Sequence, residues 1–156
     1  MGFFKGVLRS LLPLTRVIDA PREIVFEVWT RPEHLTAWWG PAGFSLPGCD
    51  LDFRVGGAFR YHMRNPAGGD HWLRGVFQEI SEPERIAFTF AWGDAERATG
   101  PVMLVTVTFE ADGTKTRLTL HQAGLESESA ARAHEGGWTS QLDRLAIYAP
   151  EVERES

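Results

Sequence analysis

In the last quarter of the chain, apolar residues recur with a helical period. Trp138, Leu142, Leu145 and Ala149 stand at i, i+4, i+7 and i+11, one stripe of a helix expected from Ser127 to about Ala149. Gln141, Asp143 and Arg144 fall largely off that stripe, so the helix reads as amphipathic. Between residues 45 and 122 the period drops to two. Phe59, Tyr61 and Met63 alternate with Arg60, His62 and Arg64; Ile86, Phe88, Phe90 and Trp92 share one face; Met103, Val105, Val107 and Phe109 share another. Strands with one apolar face need a cover, and the C-terminal helix is the element long enough to supply it.

Proline and glycine mark the boundaries. The first strand is expected over Leu12–Ile18, with Arg16 a flaw in its inward parity that suggests an edge position or a change of face. Pro21 suits the first position of a helix, where its missing N–H costs nothing, and Ile24, Val25, Val28 and Trp29 form the buried face of that helix. Arg31-Pro32-Glu33 repeats the device for a second short helix striped by Leu35, Trp38 and Trp39 and stopped at Gly40-Pro41. The remaining strands are expected at Cys49–Val55, Ala58–Arg64, His71–Ile80 (with a bulge at Gly75), Ile86–Trp92, Val102–Glu110 and Thr114–Gln122. Asp112-Gly113 turns the last pair into a hairpin. The order strand, two helices, about six strands, helix gives an α+β domain with an antiparallel sheet and its helices on one face. A single domain is expected over residues 11–150, with an extension at 1–10 and a tail at 151–156.

Composition narrows the function classes. With 16 Lys and Arg against 21 Asp and Glu, the net charge is −5, the wrong sign for a surface that tracks phosphates, so nucleic acid is not an expected partner. The single cysteine, Cys49, excludes an internal disulfide and multi-cysteine metal sites, and reads as a small buried residue rather than a reactive thiol. His34, His62, His71, His121 and His134 form no metal-ligand spacing, so no metal and no cofactor is expected. Lys5 and Arg9 interrupt the apolar N-terminus, and no run approaches membrane-spanning length; a cytoplasmic protein without a membrane partner is expected. Gly56-Gly57 and Gly68-Gly69 stand in strand and turn contexts and cradle no phosphate. Asp50 and Asp52 share a strand face, where an exposed edge is a plainer reading than a catalytic pair. Arg60, His62 and Arg64 read as a solvated face before an anion or partner site.

Five segments, in order, carry a resemblance: TRVIDAPREIVFEVWTRPEHLTAWWGPAGF, DLDFRVGGAFRYHMRNPAGG, GVFQEISEPERIAFTFAW, VTVTFEADGTKTRLTL and GWTSQLDRLAIY. Together they span about residues 14–150 and resemble the AHSA-type family, homologous to activators of the heat-shock-protein ATPase and part of the START and birch-pollen-allergen-like superfamily (SRPBCC). The resemblance implies a helix-grip fold, a curved antiparallel sheet wrapped around the C-terminal helix, the architecture the periodicities reach separately. Arg31 departs from the family pattern, which usually has Asp before the Pro, and Gly136-Gly137 places two glycines inside the helix at about 1 kcal/mol each.

The superfamily commonly keeps an apolar cavity between sheet and helix, so the resemblance makes the aromatic residues ligand-binding candidates. Trp38, Trp39 and Phe44 come from the second helix and the loop after it; Phe59, Tyr61, Met63 and Trp72 from the middle strands; Phe88, Phe90 and Trp92 from the next; His134, Trp138 and Leu142 from the last helix. Ordinary packed core is the competing reading for all of them. The mouth is expected near Trp38, Trp39 and Phe44, opposite His134, Gly137 and Trp138, with the Gly40-Pro41-Ala42-Gly43 loop as a gate. Binding of a small apolar molecule is the favoured function. A co-chaperone-like interaction domain with a chaperone partner and a stress-response setting comes second. A cofactor-independent cyclase or dehydratase comes third, because the inward strand faces carry only the Tyr61 hydroxyl and the Trp92 indole N–H, and so no catalytic residue is nominated. Either a monomer or a homodimer suits this reading.

Overall fold

The computed structural model describes residues 13–155. The expected extension at 1–10 and the expected strand start at Leu12 lie outside the described residues. The chain runs β1 (Leu14–Ile18), α1 (Arg22–Thr30), α2 (Pro32–Trp38), β2 (Ser45–Leu51), β3 (Ala58–Arg64), β4 (Asp70–Ser81), β5 (Arg85–Gly93), β6 (Met103–Asp112), β7 (Lys115–Ala123) and α3 (Glu128–Glu155). The strands form one 7-stranded sheet in the order β1-β7-β6-β5-β4-β3-β2, with every neighbouring pair antiparallel. α1 and α2 join β1 to β2, the two edges of the sheet, and both pack against α3. The fold is α+β, a helix-grip arrangement with α3 held by the sheet.

The α3 stripe is buried as its spacing requires: Trp138 is 4% exposed and Leu142, Leu145 and Ala149 are fully buried. Ser127 caps the helix, its Oγ accepting from the N–H of Ala130 at 3.1 Å. The helix does not end at Ala149. It continues through Pro150 to Glu155, and Val152 packs against the core beyond the proline. Burial of the next apolar position offsets the hydrogen bond that Pro150 cannot make.

Arg16 is not a flaw. On the inward parity of edge strand β1, its guanidinium pairs with Asp143 and donates to the Thr139 carbonyl at 3.3 Å, so a charged residue docks the edge onto α3. β2 is shifted from its expected place, running from Ser45 to Leu51, after which residues 52–57 turn. The bulge in β4 falls between Phe77 and Glu79, not at Gly75. Gly75 serves close approach instead: a Cβ there would lie 1.8 Å from the Thr89 carbonyl oxygen and 2.7 Å from the Phe59 ring. In α1, Pro21 stands just before the first helical residue, and Phe26 is buried while Ile24 is only partly so. No helix among the described residues is long and apolar enough to cross a membrane.

Candidate functional site

The space inside the sheet is nearly filled at one end and open at the other. At the closed end Trp29, Trp39, Phe59, Tyr61, Phe77, Ile86 and Phe88 leave a gap of about 10 Å³, room for no more than one water. At the other end a cleft of about 450 Å³ opens between α3, the α2–β2 loop and the ends of β3, β4 and β5. Its wall consists of Trp39, Pro41, Phe44, Met63, His71, Leu73, Phe90, Trp92, Ala133, His134, Gly137, Trp138 and Gln141. None of these side chains carries a formal charge when His71 and His134 are neutral.

The sequence candidates divide between the two ends. Trp39, Phe44, Met63, Phe90, Trp92, His134 and Trp138 line the cleft. Phe59, Tyr61 and Phe88 lie in the closed end, where their rings pack at 4.8 to 5.6 Å. Trp38 is fully buried away from the cleft because its indole N–H donates to the Val28 carbonyl at 2.9 Å, which draws the ring under α1. Leu142 is fully buried one turn past Trp138 and touches no open space. Trp72 stands on the other face of the sheet: its β4 neighbour Leu73 points inward, so alternation turns Trp72 outward. There its ring stacks on His62 at 4.2 Å under the Arg60 guanidinium.

Polar groups that the hydropathy pattern passed over organise the cleft. Gln122, fully buried on β7, accepts from Trp138 Nε1 at 2.8 Å, and its Nε2 lies 3.3 Å from His134 Nδ1 and 3.2 Å from Met103 Sδ. Gln122 shares parity with the inward Leu118 and Leu120, and that parity was the available signal. Burial pushes the pKa of His134 below the ordinary histidine value, favouring the neutral ring. Gln141 is also buried, contrary to its expected place off the stripe. It sits three residues after Trp138, and its Oε1 accepts from the Gly40 N–H at 3.1 Å.

The α2–β2 loop is tied down. Gly40 adopts a φ of +95°, open to glycine, and a Cβ there would lie 2.9 Å from Phe44 Cβ. The Ala42 N–H donates to Ser140 Oγ at 2.8 Å, and the Arg144 guanidinium reaches the carbonyls of Ala37, Trp39, Gly40, Pro41 and Phe44 at 2.9 to 3.3 Å. The expected gate is therefore a strap fastened to α3 by Ser140, Gln141 and Arg144. His34 and the Tyr148 hydroxyl, 2.7 Å apart, tie α2 to α3 as well.

The outer face of β3 is neutralised in place. Asp50 pairs with Arg60, and Asp70 pairs with both His62 and Arg64. Hydrogen bonds from His62 and Arg64 hold the Asp70 carboxyl below its usual range. Asp52 pairs with Arg54, so Asp50 and Asp52 do not act together. Cys49 is half-buried and its thiol is pushed up to about 12, by burial first and by Asp50 second, which keeps it protonated. No group of three or more His, Cys, Asp or Glu suited to a metal ion occurs among the described residues.

The profile of the family described as Activator of Hsp90 ATPase homolog 1-like protein matches residues 19–149, from the end of β1 into the last turns of α3. The chain belongs to that family. Solved structures of AHSA1-like and related proteins share its fold. The AHSA1 protein from Silicibacter pomeroyi is 30% identical, with 95% of this chain and 100% of that one covered at a TM-score of 0.82. A protein from Chromobacterium violaceum is also 30% identical, covering 88% and 94% at 0.77, and one from Nitrosomonas europaea is 26% identical, covering 93% and 96% at 0.79. Among curated proteins none matches. Membership in the AHSA1-like family accounts for the helix-grip architecture, while the chemistry of the cleft has to be read from its own walls.

Proposed function

We propose that this protein binds a small, mostly apolar molecule in the cleft between α3 and the ends of β3, β4 and β5. One observation carries the reading: at about 450 Å³, walled by aromatic rings with a few placed polar groups, the space has the size and lining of a small-molecule site. Collapse would have been available, since the other end of the same core closes to about 10 Å³. Gly137 supports the reading, because a Cβ there would meet only Pro41, at 4.0 Å, across the cleft. A glycine that costs helix stability leaves the space open.

The test is a titration with the uncharged, apolar fluorophore 6-propyl-2-dimethylaminonaphthalene. Wild type is expected to bind it in the micromolar range, about 8 kcal/mol, and Gly137→Leu to lose that binding with its fold intact. Gly136→Leu, one residue away where a Cβ meets nothing within 4 Å and the cleft wall is not reached, is expected to bind as wild type does. No binding by wild type, or unchanged binding by Gly137→Leu, overturns the proposal. In that event a protein partner of the kind the family's description names becomes the reading to pursue.

A further inference from the structure

This inference rests on the small-molecule reading above and concerns the polar feature that molecule carries. Gln141 forms part of the cleft wall and is 5% exposed. Its Oε1 accepts from the Gly40 N–H at 3.1 Å, which fixes the orientation of the amide: turned over, its NH₂ would face another N–H. The Nε2 is therefore directed away from Gly40, and it is buried without a hydrogen-bond acceptor among the described residues. A buried donor with no acceptor leaves its desolvation uncompensated, and native structures rarely tolerate that without a purpose. Gln141 lines the cleft, so a molecule seated there is placed to bring the acceptor.

The remaining polar groups set the chemistry of that acceptor. The Trp138 N–H is satisfied by Gln122 Oε1, Gln122 Nε2 faces His134 Nδ1, and Asn65 Nδ2 faces His71 Nε2 at 3.0 Å, so these side-chain acceptors are occupied. A ligand hydroxyl would bring a donor of its own with nothing free to receive it. A carboxylate or phosphate would lose its hydration in a wall that holds no Lys or Arg. A hydrocarbon would leave the Gln141 donor unpaired. We propose that the ligand is an uncharged, mostly apolar carbonyl compound, and that Gln141 Nε2–H donates to its carbonyl oxygen.

Three naphthalenes of similar shape separate the possibilities: 6-propionyl-2-dimethylaminonaphthalene, its 6-propyl analogue and its 6-carboxylate. Wild-type protein is expected to bind the ketone about tenfold tighter than the propyl compound, the effect of one added buried hydrogen bond, and the carboxylate at least about tenfold more weakly than the ketone. Bound ketone should emit at longer wavelength in wild type than in Gln141→Met, because hydrogen bonding to its carbonyl shifts the emission to the red. Gln141→Met is expected to lose the preference for ketone: the ratio of ketone to propyl affinity should fall to about one. Any general effect of losing the Gly40 contact cancels in that ratio, while circular dichroism and a urea melt show that the variant is folded. Equal affinity of wild type for ketone and propyl compound overturns this inference alone, as does a ketone preference that survives in Gln141→Met. Tightest binding of the carboxylate overturns it in favour of an anionic ligand. If wild type binds none of the three, the small-molecule reading fails and this inference with it.

Discussion

The indole N–H of Trp138 donates to Oε1 of Gln122 at 2.8 Å, joining the middle of α3 to β7 through a fully buried amide. The same amide reaches His134 one turn earlier on α3, so a single side chain of the sheet holds two residues of the helix. Gln122→Leu keeps the volume but orphans the Trp138 donor. It is expected to destabilise the protein by about 1–3 kcal/mol in urea melts and to change the tryptophan emission. A melt within a few tenths of wild type would mean that Trp138 finds another acceptor.

The glycine pair in α3 separates helix propensity from cleft shape. A Cβ on Gly136 meets nothing within 4 Å, and the position is exposed. Gly136→Ala is therefore expected to stabilise by about 1 kcal/mol, the ordinary helix-propensity gain, with no change in ligand titration. A loss of stability would show that the backbone at Gly136 is not ordinary helix.

Periodicity carried most of the architecture, and the reasons for its failures are physical. Hydropathy records which residues prefer burial, so the stripe of Trp138, Leu142, Leu145 and Ala149 and the inward faces of β3, β5, β6 and β7 could be read directly. It does not record which polar residues find partners, and Gln122, Gln141 and Arg16 became visible only once their partners on distant elements were in place. The fault at the site was of the same kind. An aromatic inventory cannot tell the ring that faces open space, Phe90, from the ring two residues earlier that fills the core, Phe88, because both share one parity. That difference is set by what lies opposite: Trp29 of α1 and Trp39 close over the end that holds Phe88, while Phe90 faces His134 and Trp138 of α3 beside the cleft. Trp72 is a further such case: the β4 sequence shows no clear alternation, and its pairing opposite His62, with Leu73 opposite Tyr61, is what turns Trp72 outward.

Leu142 tests whether α3 is the centre of the core. It is fully buried against the sheet and outside the cleft. Leu142→Ala is expected to cost about 2–5 kcal/mol through lost burial plus the hole left behind. A loss below about 1 kcal/mol in urea melts would mean that the core closes over the missing side chain.

Arg144 fastens the strap over the cleft. Its guanidinium is the shared donor for five carbonyls of residues 37–44, and no single one of them replaces it. Arg144→Met keeps much of the apolar stem and removes the donors, with an expected cost of about 1–3 kcal/mol. Hydrogen exchange should rise first at the amides of Gly40, Ala42 and Phe44 and leave β6 and β7 protected. Uniform acceleration across the domain would mean that the strap has no local stability of its own.

His134 makes both stability and binding depend on pH, with a definite sign. Burial lowers its folded-state pKa, and the groups that face it are Phe90, Trp92 and the Gln122 amide, none of which compensates a positive ring. The unfolded chain, with an ordinary histidine pKa of about 6.5, then takes up this proton at a higher pH than the folded chain does. Stability from the neutral ring is complete above that value and is lost as pH falls from there through the lower folded pKa. Comparing wild type with His134→Gln removes the contributions of all other titrating groups. The melting temperature of wild type should fall more than that of the variant between pH 7.5 and about pH 5, and the affinity for an uncharged apolar probe should fall in the same range, because a protonated ring puts charge in the cleft wall. Parallel melting curves against pH for the two proteins would show that His134 titrates alike in folded and unfolded chains, and would remove burial as the force on its proton.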